Sequence, residues 1–328
     1  MVPQRAGWAE ELSGYHPTVL SLEEIRRAAE RAQPFVVRTP LLPMDDGTWL
    51  KLELLQPTGS FKVRGFFAAA MALPEERRRP GLMTVSAGNA ALACAHVARR
   101  LAVPCRVVMP RSAPPPKIEG VRRLGGIPLL VPREDLAGWL ADRAWEREPE
   151  AFIHPFADPM VQAGHGGIGL EILEQLPEVE RVVVAVGGGG LISGTAAALK
   201  HLRPSVEVVG VQSDGYPLWP RTFAAGSPPT LVPNTIADGT TAPYDAAMHQ
   251  RLTACVDRWI TVPESRLRAA VGRLAAQAKV VAEGAGALPV AALEQLAPGP
   301  ATVAVISGGN IDPRLLAQLL TEAHRPAL

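Results

Sequence analysis

The distribution of apolar and polar positions predicts an alternation of short strands and helices along most of the chain. Short apolar runs lie at Leu82–Val85, Cys105–Met109 and Ile127–Val131, and segments with helical spacing separate them. Alternation of buried strands with helices is typical of a parallel sheet that carries helices on its faces. The pattern therefore predicts an α/β fold.

The rest of the chain follows the same pattern, with one exception. We expect further strands at Thr39–Leu42, Trp49–Glu53, Arg181–Val186, Val206–Gln212, Arg258–Thr261 and Thr302–Ile306. We expect helices at Ser21–Ala32, Phe61–Leu73, Ile118–Leu124, Leu136–Arg147, Leu170–Leu176, Leu191–Leu202, Glu264–Gln277 and Gly286–Gln295, and an alanine-rich helix that ends at Leu101. The exception is Tyr216–Pro243, which is dense in Pro, Gly and Thr and predicts a long irregular region, a candidate lid or interface.

The N-terminal part of the chain contains one clear helix signal. Residues 1–20 have little pattern and are expected to form a loose arm. Ser21 with Glu24 then predicts a capping box, which opens the first helix.

Length and composition add a few limits to this picture. The 328 residues suggest about two domains, and the 47% of hydrophobic residues and 20% of charged residues are an ordinary globular balance. A net charge of +1 favours neither nucleic acid nor an anionic membrane as a partner. Three cysteines without CxxC spacing argue against a disulfide framework or a zinc site, and for a reducing compartment.

One stretch, Val182–Leu199, is uncharged and just long enough to span a bilayer. Four successive glycines in its middle favour a strand, a loop and a helix instead. No long apolar core of a secretion signal is visible near the N-terminus. We therefore expect a soluble, cytoplasmic protein.

The decapeptide QPTGSFKVRG contains the most informative lysine of the sequence. Thr58 and Ser60 are candidate N-caps for the apolar run that follows, which places Lys62 in the first turn of a helix. The partial positive charge there, with some desolvation, predicts a lowered pKa for Lys62 and a larger fraction of neutral, nucleophilic amine, as an imine with an aldehyde requires. The chain has only five lysines among its 33 Lys and Arg residues, which draws attention to each of them. The alternative is a solvated lysine at a helix start.

Four glycines, 187–190, lie between a predicted buried strand and a predicted helix. Without Cβ atoms the backbone can approach an anion closely, and its N–H groups converge at the helix N-terminus. Neither the dinucleotide pattern GxGxxG nor the P-loop pattern is matched, so nucleotide binding is not indicated. The segment predicts a phosphate site, with a tight strand-to-helix turn as the alternative.

Five motifs together resemble one enzyme family. QPTGSFKVRG, SAGN at 86–89, GGGGL at 187–191, EGAGA at 283–287 and SGGN at 307–310 are similar, in order, to the motifs of fold-type II pyridoxal phosphate enzymes of the threonine and serine dehydratase and serine racemase group. The resemblance covers about residues 20–315. It implies a two-domain α/β fold of the tryptophan synthase β type, with parallel sheets flanked by helices and pyridoxal 5'-phosphate in the cleft between the domains. The large domain would comprise residues 1–74 and 158–328, and the small domain residues 75–157.

The resemblance also assigns cofactor-binding residues. Lys62 would bind the cofactor aldehyde, Asn89 the phenolic oxygen and Ser307 the pyridine nitrogen, and Glu283 would orient the ring edge unless it is a structural acid. The remaining implied contacts are Phe61, Gly187, Gly188, Gly189 and Gly190. Because a serine hydroxyl holds a pyridinium proton less firmly than a carboxylate does, Ser307 favours β-elimination over transamination.

The segment Ser86, Ala87, Gly88 and Asn89 precedes a predicted helix and would bind the substrate carboxylate. By resemblance, racemases of this group have a second serine at the position of Ala87, where it acts as an acid and base on the far face of the substrate. Ala87 has no titratable group. Racemisation is therefore expected to be slower than elimination.

Three departures from the family pattern bear on the site. Ala90 replaces a histidine that commonly follows SAGN, and GHGGIG replaces GQGTIG, which introduces His165. His165 predicts either an altered substrate pocket or a surface or loop histidine. The positions that bind a divalent cation in metal-dependent relatives correspond to Gln212, Tyr216 and Leu218, so two of three oxygen ligands are missing and no metal site is expected.

The expected function is pyridoxal phosphate-dependent dehydration and deamination of a β-hydroxy amino acid, such as L-threonine or L-serine, to a 2-oxo acid and ammonia. The resemblance implies a homodimer or homotetramer and no C-terminal regulatory domain. Three alternatives stay open: an amino-acid racemase, a β-replacement enzyme of the cysteine or threonine synthase type, and a non-catalytic module that binds the cofactor.

Overall fold

Two separate sheets form the framework of the protein. The structure is a computed structural model and describes residues 20–44, 47–132 and 134–323. The strands of the larger sheet are β1 (Leu41–Pro43), β2 (Thr48–Lys51), β7 (Arg181–Ala185), β8 (Glu207–Ser213), β9 (Arg258–Val262) and β10 (Thr302–Val305). The strands of the smaller sheet are β3 (Leu82–Val85), β4 (Cys105–Pro110), β5 (Ile127–Val131) and β6 (Ala151–Phe152). The spatial orders are β1-β2-β10-β7-β8-β9 and β5-β4-β3-β6.

Helices connect the strands and cover the sheets. They are α1 (Leu22–Ala32), α2 (Lys62–Ala72), α3 (Glu75–Arg78), α4 (Asn89–Arg100), α5 (Pro115–Arg123), α6 (Asp135–Ala141), α7 (Pro159–Gln175), α8 (Gly190–Leu202), α9 (Leu218–Ala225), α10 (Ala246–Cys255), α11 (Glu264–Arg273), α12 (Gly284–Ala292) and α13 (Pro313–Ala323). Apart from the antiparallel β1–β2 pair, the strand pairs of both sheets are parallel. The predicted α/β class with parallel sheets is confirmed.

Strand β7 shows why the large sheet has helices on both faces. Val183 belongs to a core that is shared with α11 and α12, whereas Val182 and Val184 face a second core on the other side of the sheet. All five residues of β7 are buried, which accounts for its continuous apolar sequence. The stretch of membrane length divides into β7, a glycine loop and α8, as predicted, and no helix within the described residues is long and apolar enough to cross a bilayer.

Helix α2 joins the two sheets. It starts at Lys62 beside the large sheet, and its Phe66 and Phe67 are completely buried in the same core as α4 and β4 of the small sheet. The four strands of the small sheet lie between residues 82 and 152, inside the predicted small domain. The boundaries of the two domains stay a prediction.

The structure corrects the predicted start of α7. The helix begins at Pro159 and includes GHGGIG, whereas the sequence predicts a start at Leu170. Asp158 caps it by accepting the N–H groups of residues 160 and 161. The glycines are accommodated because neighbouring helices approach closely: a Cβ on Gly164 would lie 2.6 Å from Cβ of Ala68, and one on Gly169 would lie 2.6 Å from the carbonyl oxygen of Thr195.

Two smaller predictions are also wrong. The region 216–243 is not wholly irregular, since α9 forms within it around the completely buried Trp219. The N-cap of α2 is Phe61, without a side-chain hydrogen bond, and neither Thr58 nor Ser60 caps the helix. By contrast, the capping box of Ser21 and Glu24 at α1 is confirmed. Most of the predicted N-terminal arm lies outside the described residues.

Candidate active site

The predicted motifs lie at the carboxyl ends of strands. Residues 86–89 follow β3, 187–190 follow β7, and 307–310 follow β10. Strands β7 and β10 are parallel neighbours, so the loops that follow them emerge at the same edge of the large sheet. The crevice outside the carboxyl ends of the strands is where open α/β sheets bind ligands.

Lys62 is the first residue of α2, as predicted, and its amine is enclosed. Nζ donates a hydrogen bond of 2.6 Å to the carbonyl oxygen of Pro155 and lies 5.0 Å from the ring centroid of Phe61. Burial lowers the pKa of Lys62 to about 8. With that pKa, roughly one amine in ten is neutral at pH 7, against about one in three thousand for an ordinary lysine. A larger neutral fraction makes Lys62 the better nucleophile.

A buried ion-pair network anchors the first turn of α2. Nε and Nη2 of Arg64 donate to the two carboxylate oxygens of Glu53, at 2.7 and 2.8 Å, and Nη1 donates to Glu171 on α7 at 2.7 Å. The ammonium of Lys51 reaches the same Glu171 at 2.6 Å. Breaking such a network would leave buried charges without partners, at a cost of about 3–5 kcal/mol. Strand β2, α2 and α7 are therefore held in one arrangement next to Lys62.

The segment 154–156 completes the surroundings of Lys62, and the sequence analysis did not identify it. Nδ1 of His154 accepts the backbone N–H groups of Phe156 at 3.3 Å and Ala157 at 2.9 Å. Burial, and then the charge of Lys62, lower the pKa of His154 to about 4. A histidine followed by proline directly after a predicted strand was the available signal. It needed the position of Lys62 in space to acquire a meaning.

The glycine loop 187–190 packs so closely that side chains are excluded. A Cβ on Gly188 would lie 2.4 Å from the ring of Phe156, and Gly189 has a positive φ of 87° as the N-cap of α8. Gly190 then begins α8, a helix of 13 residues whose unpaired first N–H groups and dipole favour an anion. The loop therefore has the backbone geometry of a phosphate site.

The lysine motif pairs with the loop after β10. The N–H of Phe61 donates to the carbonyl oxygen of Ser307 at 3.0 Å, and the N–H of Gly309 donates to the carbonyl oxygen of Gly59 at 2.9 Å. Ser60 forms an antiparallel bridge with Gly308 between these two bonds. This short ladder places Ser307 beside the residues that precede Lys62.

A chain of side-chain hydrogen bonds links three other predicted motifs. Nδ2 of Asn89 donates to Glu283 at 2.6 Å, and Nδ2 of Asn310 donates to Oδ1 of Asn89 at 2.8 Å. A Cβ on Gly308 would lie 2.3 Å from Oε1 of Glu283. Burial, and next the charge of Asp238, raise the pKa of Glu283 to about 7. Residues that are far apart in sequence therefore share one hydrogen-bonded group.

The loop after β3 has the predicted turn before a helix. Oγ of Ser86 accepts the N–H of Gly88 at 3.0 Å, and α4 begins at Asn89. Ala87 stays partly exposed at this turn. Ala90, at the position where relatives commonly have histidine, is buried in the core of the small sheet. A residue larger than alanine at position 90 would have to displace that core.

His165 lies in the helix interface beneath Phe61, so it is neither a surface nor a loop histidine. Its ring is fully buried and forms an edge contact with the Phe61 ring, with centroids 4.7 Å apart. Neither ring nitrogen has good hydrogen-bond geometry with a neighbour, although the backbone of Gly190 is near. Burial, and then the charge of Lys62, hold the pKa of His165 well below its ordinary value. His165 is therefore an uncharged neighbour of the lysine motif, and its role in substrate binding stays a prediction.

The residues at the positions of the metal ligands have structural partners. The side chain of Gln212 donates to the carbonyl oxygen of Val186 at 2.8 Å and accepts the N–H of Trp219 at 2.7 Å. Leu218 is buried at the start of α9. In the part of the chain that the structure describes, no group of three or more His, Cys, Asp and Glu side chains is arranged to hold a metal ion.

The site has the groups that a phosphorylated aldehyde cofactor requires. It combines a desolvated amine at Lys62 with a glycine loop at a helix N-terminus. The hydroxyls of Thr58 and Ser60 are buried and have no hydrogen-bond partner among the described residues. Buried polar groups are normally paired, so two orphaned hydroxyls on the lysine motif indicate room for a polar ligand. The residues present therefore fit such a cofactor.

Comparison with known proteins gives concordant results. Residues 32–308 match the family model described as pyridoxal-phosphate dependent enzyme. An L-threonine ammonia-lyase of Thermotoga maritima is 41% identical over 317 residues, which cover 93% of this chain and 79% of the relative.

Two solved structures are also similar. Maize serine racemase has a TM-score of 0.86 at 31% identity and covers 93% of this chain and 98% of its own. A threonine deaminase of T.th. has a TM-score of 0.82 at 37% identity and covers 89% of this chain and 99% of its own.

Proposed function

Because the chain belongs to the pyridoxal-phosphate dependent enzymes, in the threonine and serine dehydratase and serine racemase group, we propose that it is an ammonia-lyase. Its reaction is the conversion of a β-hydroxy amino acid, such as L-threonine or L-serine, to a 2-oxo acid and ammonia. The observation that carries this proposal is the amine of Lys62, which is desolvated at the start of α2 and held by Pro155 beside the glycine loop.

The site residues divide the cofactor between them. Lys62 holds the aldehyde carbon, and the backbone of residues 187–190 binds the phosphate at the N-terminus of α8. Ser307 faces the pyridine nitrogen, and Asn89, oriented by Glu283, faces the phenolic oxygen. When bound, pyridoxal phosphate withdraws electrons from the substrate Cα and makes its proton acidic.

The residues of the chain then carry the proton transfers. The turn at Ser86–Asn89 binds the substrate carboxylate with backbone N–H groups at the start of α4. Nζ of Lys62, which has a pKa close to neutral, removes the Cα proton as a general base. Loss of the β-hydroxyl as water leaves an enamine, which hydrolyses to the 2-oxo acid and ammonia.

Borohydride reduction tests the assignment of Lys62. The purified protein should absorb in the visible range, and reduction should fix the cofactor to the peptide that contains Lys62. Lys62→Arg keeps the positive charge but should lose both the absorbance and 2-oxo acid formation from L-threonine. Lys200→Arg, on α8 and paired with Asp257, is the matched control and should keep both. Recovery of the label on Lys51, Lys117, Lys200 or Lys279 would refute the assignment.

Serine racemisation is the second candidate, since maize serine racemase has this fold at 31% identity. Both reactions use removal of the Cα proton, and racemisation needs a group that reprotonates Cα from the other face. Ala87 cannot do so. A positioned acid contributes roughly a hundredfold to ten-thousandfold in rate, so elimination should predominate.

We further propose a cytoplasmic homodimer or homotetramer that acts on serine as well as threonine. Support for the compartment comes from the three cysteines, all buried and in the free thiol form, which suit a reducing environment. Light scattering of the purified holoenzyme would test the assembly, and a monomer would contradict it.

A further inference from the structure

The turn at residues 154–157 depends on one imidazole nitrogen. Nδ1 of His154 accepts two backbone N–H groups, from Phe156 at 3.3 Å and from Ala157 at 2.9 Å. A nitrogen that accepts cannot carry the proton, so the proton of the neutral ring is on Nε2. The rings of Phe152 and Phe156 contact the imidazole edge to face, with centroids 6.0 and 4.6 Å away. Both the tautomer and the orientation of His154 are thereby determined.

This turn touches two parts of the candidate active site. The carbonyl oxygen of Pro155 accepts the hydrogen bond from Nζ of Lys62 at 2.6 Å, and the ring of Phe156 covers Gly188 of the glycine loop. The same turn links β6 of the small sheet to α7, which packs against α2 and α8. A shift of the turn would therefore move the carbonyl that holds the lysine amine.

We propose that His154 is a positioning residue, which fixes the turn through Nδ1 so that the Pro155 carbonyl holds the Lys62 amine in place for the cofactor aldehyde. The role does not require the imidazole to touch the substrate or to transfer a proton. It requires only that Nδ1 stays an acceptor. Burial and the nearby charge of Lys62 lower the pKa of His154 and keep the ring neutral near pH 7, so the acceptor is always available.

Two substitutions separate this role from others. His154→Asn retains an acceptor, because the side-chain oxygen of asparagine occupies about the place of Nδ1. His154→Leu fills similar space without an acceptor. Phe152→Leu is the control for altered ring packing, since Phe152 contacts His154 but accepts neither N–H group.

The first measurement is backbone hydrogen exchange of the full chain without cofactor. Exchange of the Phe156 and Ala157 amides should be on the order of tenfold faster in His154→Leu, as expected when a buried hydrogen bond is lost. It should stay close to the unsubstituted protein in His154→Asn and Phe152→Leu. Unchanged exchange in His154→Leu would overturn the dependence of the turn on Nδ1.

The second measurement is the rate at which pyridoxal 5'-phosphate loads onto the same proteins, followed by visible absorbance. This part rests on the proposed function. Loading should be roughly tenfold slower in His154→Leu and restored in His154→Asn. Normal loading of His154→Leu, or an asparagine variant as slow as the leucine variant, would overturn the positioning role. If borohydride fixed the cofactor to another lysine, the proposed function would fail, whereas the exchange experiment would still decide whether His154 fixes the turn.

Discussion

Replacement of Glu283 by glutamine should stabilise the cofactor-free protein, and more so at high pH. Burial and the charge of Asp238 raise the pKa of Glu283 to about 7 from an ordinary value of 4.5. Each pKa unit corresponds to about 1.36 kcal/mol, so the ionised side chain lowers the free energy of unfolding by about 3 kcal/mol. Glutamine keeps an oxygen that can accept the bond from Asn89, and it never ionises.

The sign follows from the direction of the pKa change. Below pH 4.5, Glu283 is protonated in both the folded and the unfolded chain and costs nothing. As pH rises to about 7, the unfolded chain releases the proton first, and the folded state loses stability relative to it. Above pH 7 the full cost is present. Glu283→Gln should therefore unfold with nearly the free energy of the unsubstituted protein at about pH 4, and with up to about 3 kcal/mol more at pH 8.

Urea unfolding at both pH values, with the cofactor removed, measures this difference. Asp238→Asn removes the charge next to Glu283 and should produce a smaller gain in the same direction, because burial remains. Glu119→Gln, on the exposed surface of α5, is the control for a change of net charge. Equal effects of Glu283→Gln at pH 4 and pH 8 would refute the raised pKa.

Two further predictions concern the glycine loop and the choice of reaction. Gly188→Ala should weaken cofactor binding at least tenfold in a fluorescence titration and lower the free energy of unfolding by about 1–3 kcal/mol, because its Cβ would overlap the Phe156 ring. Addition of Phe156→Leu should recover part of the stability, and an undiminished affinity would contradict the phosphate site. Ala87→Ser should raise the share of D-serine formed from L-serine without abolishing elimination, as chiral chromatography beside a 2-oxo acid assay would measure. Predominant racemisation by the unsubstituted protein would contradict the argument from Ala87.

Local sequence was sufficient wherever one segment contained the whole signal. The motif before Lys62 predicted a lysine in the first turn of a helix, and that is where the structure has it. Four glycines after an apolar run predicted a strand, a loop and a helix, because only a loop tolerates such a cluster at a positive φ. The capping box at Ser21 is another signal that depends only on neighbours.

Tertiary packing decided the features for which the local signal pointed elsewhere. Glycine has a low helix propensity, so GHGGIG predicted a loop. It is helical because Gly164 and Gly169 let α7 approach α2 and α8 at distances that a side chain would prevent. The cap of α2 likewise differs from the prediction, since the backbone of Phe61 and Gly59 is engaged with residues 307–309.

The sequence by itself therefore determined the class of fold, the order of the motifs and the identity of the central lysine. It did not reveal the bond from Lys62 to Pro155, the turn fixed by His154, or the pairing of Asn89 with Glu283. Two of these contacts join residues that are far apart along the chain, and the third acquires its meaning from Lys62. Their energies depend on burial and on charges brought close in space, and neither quantity is defined until the two sheets have come together around α2.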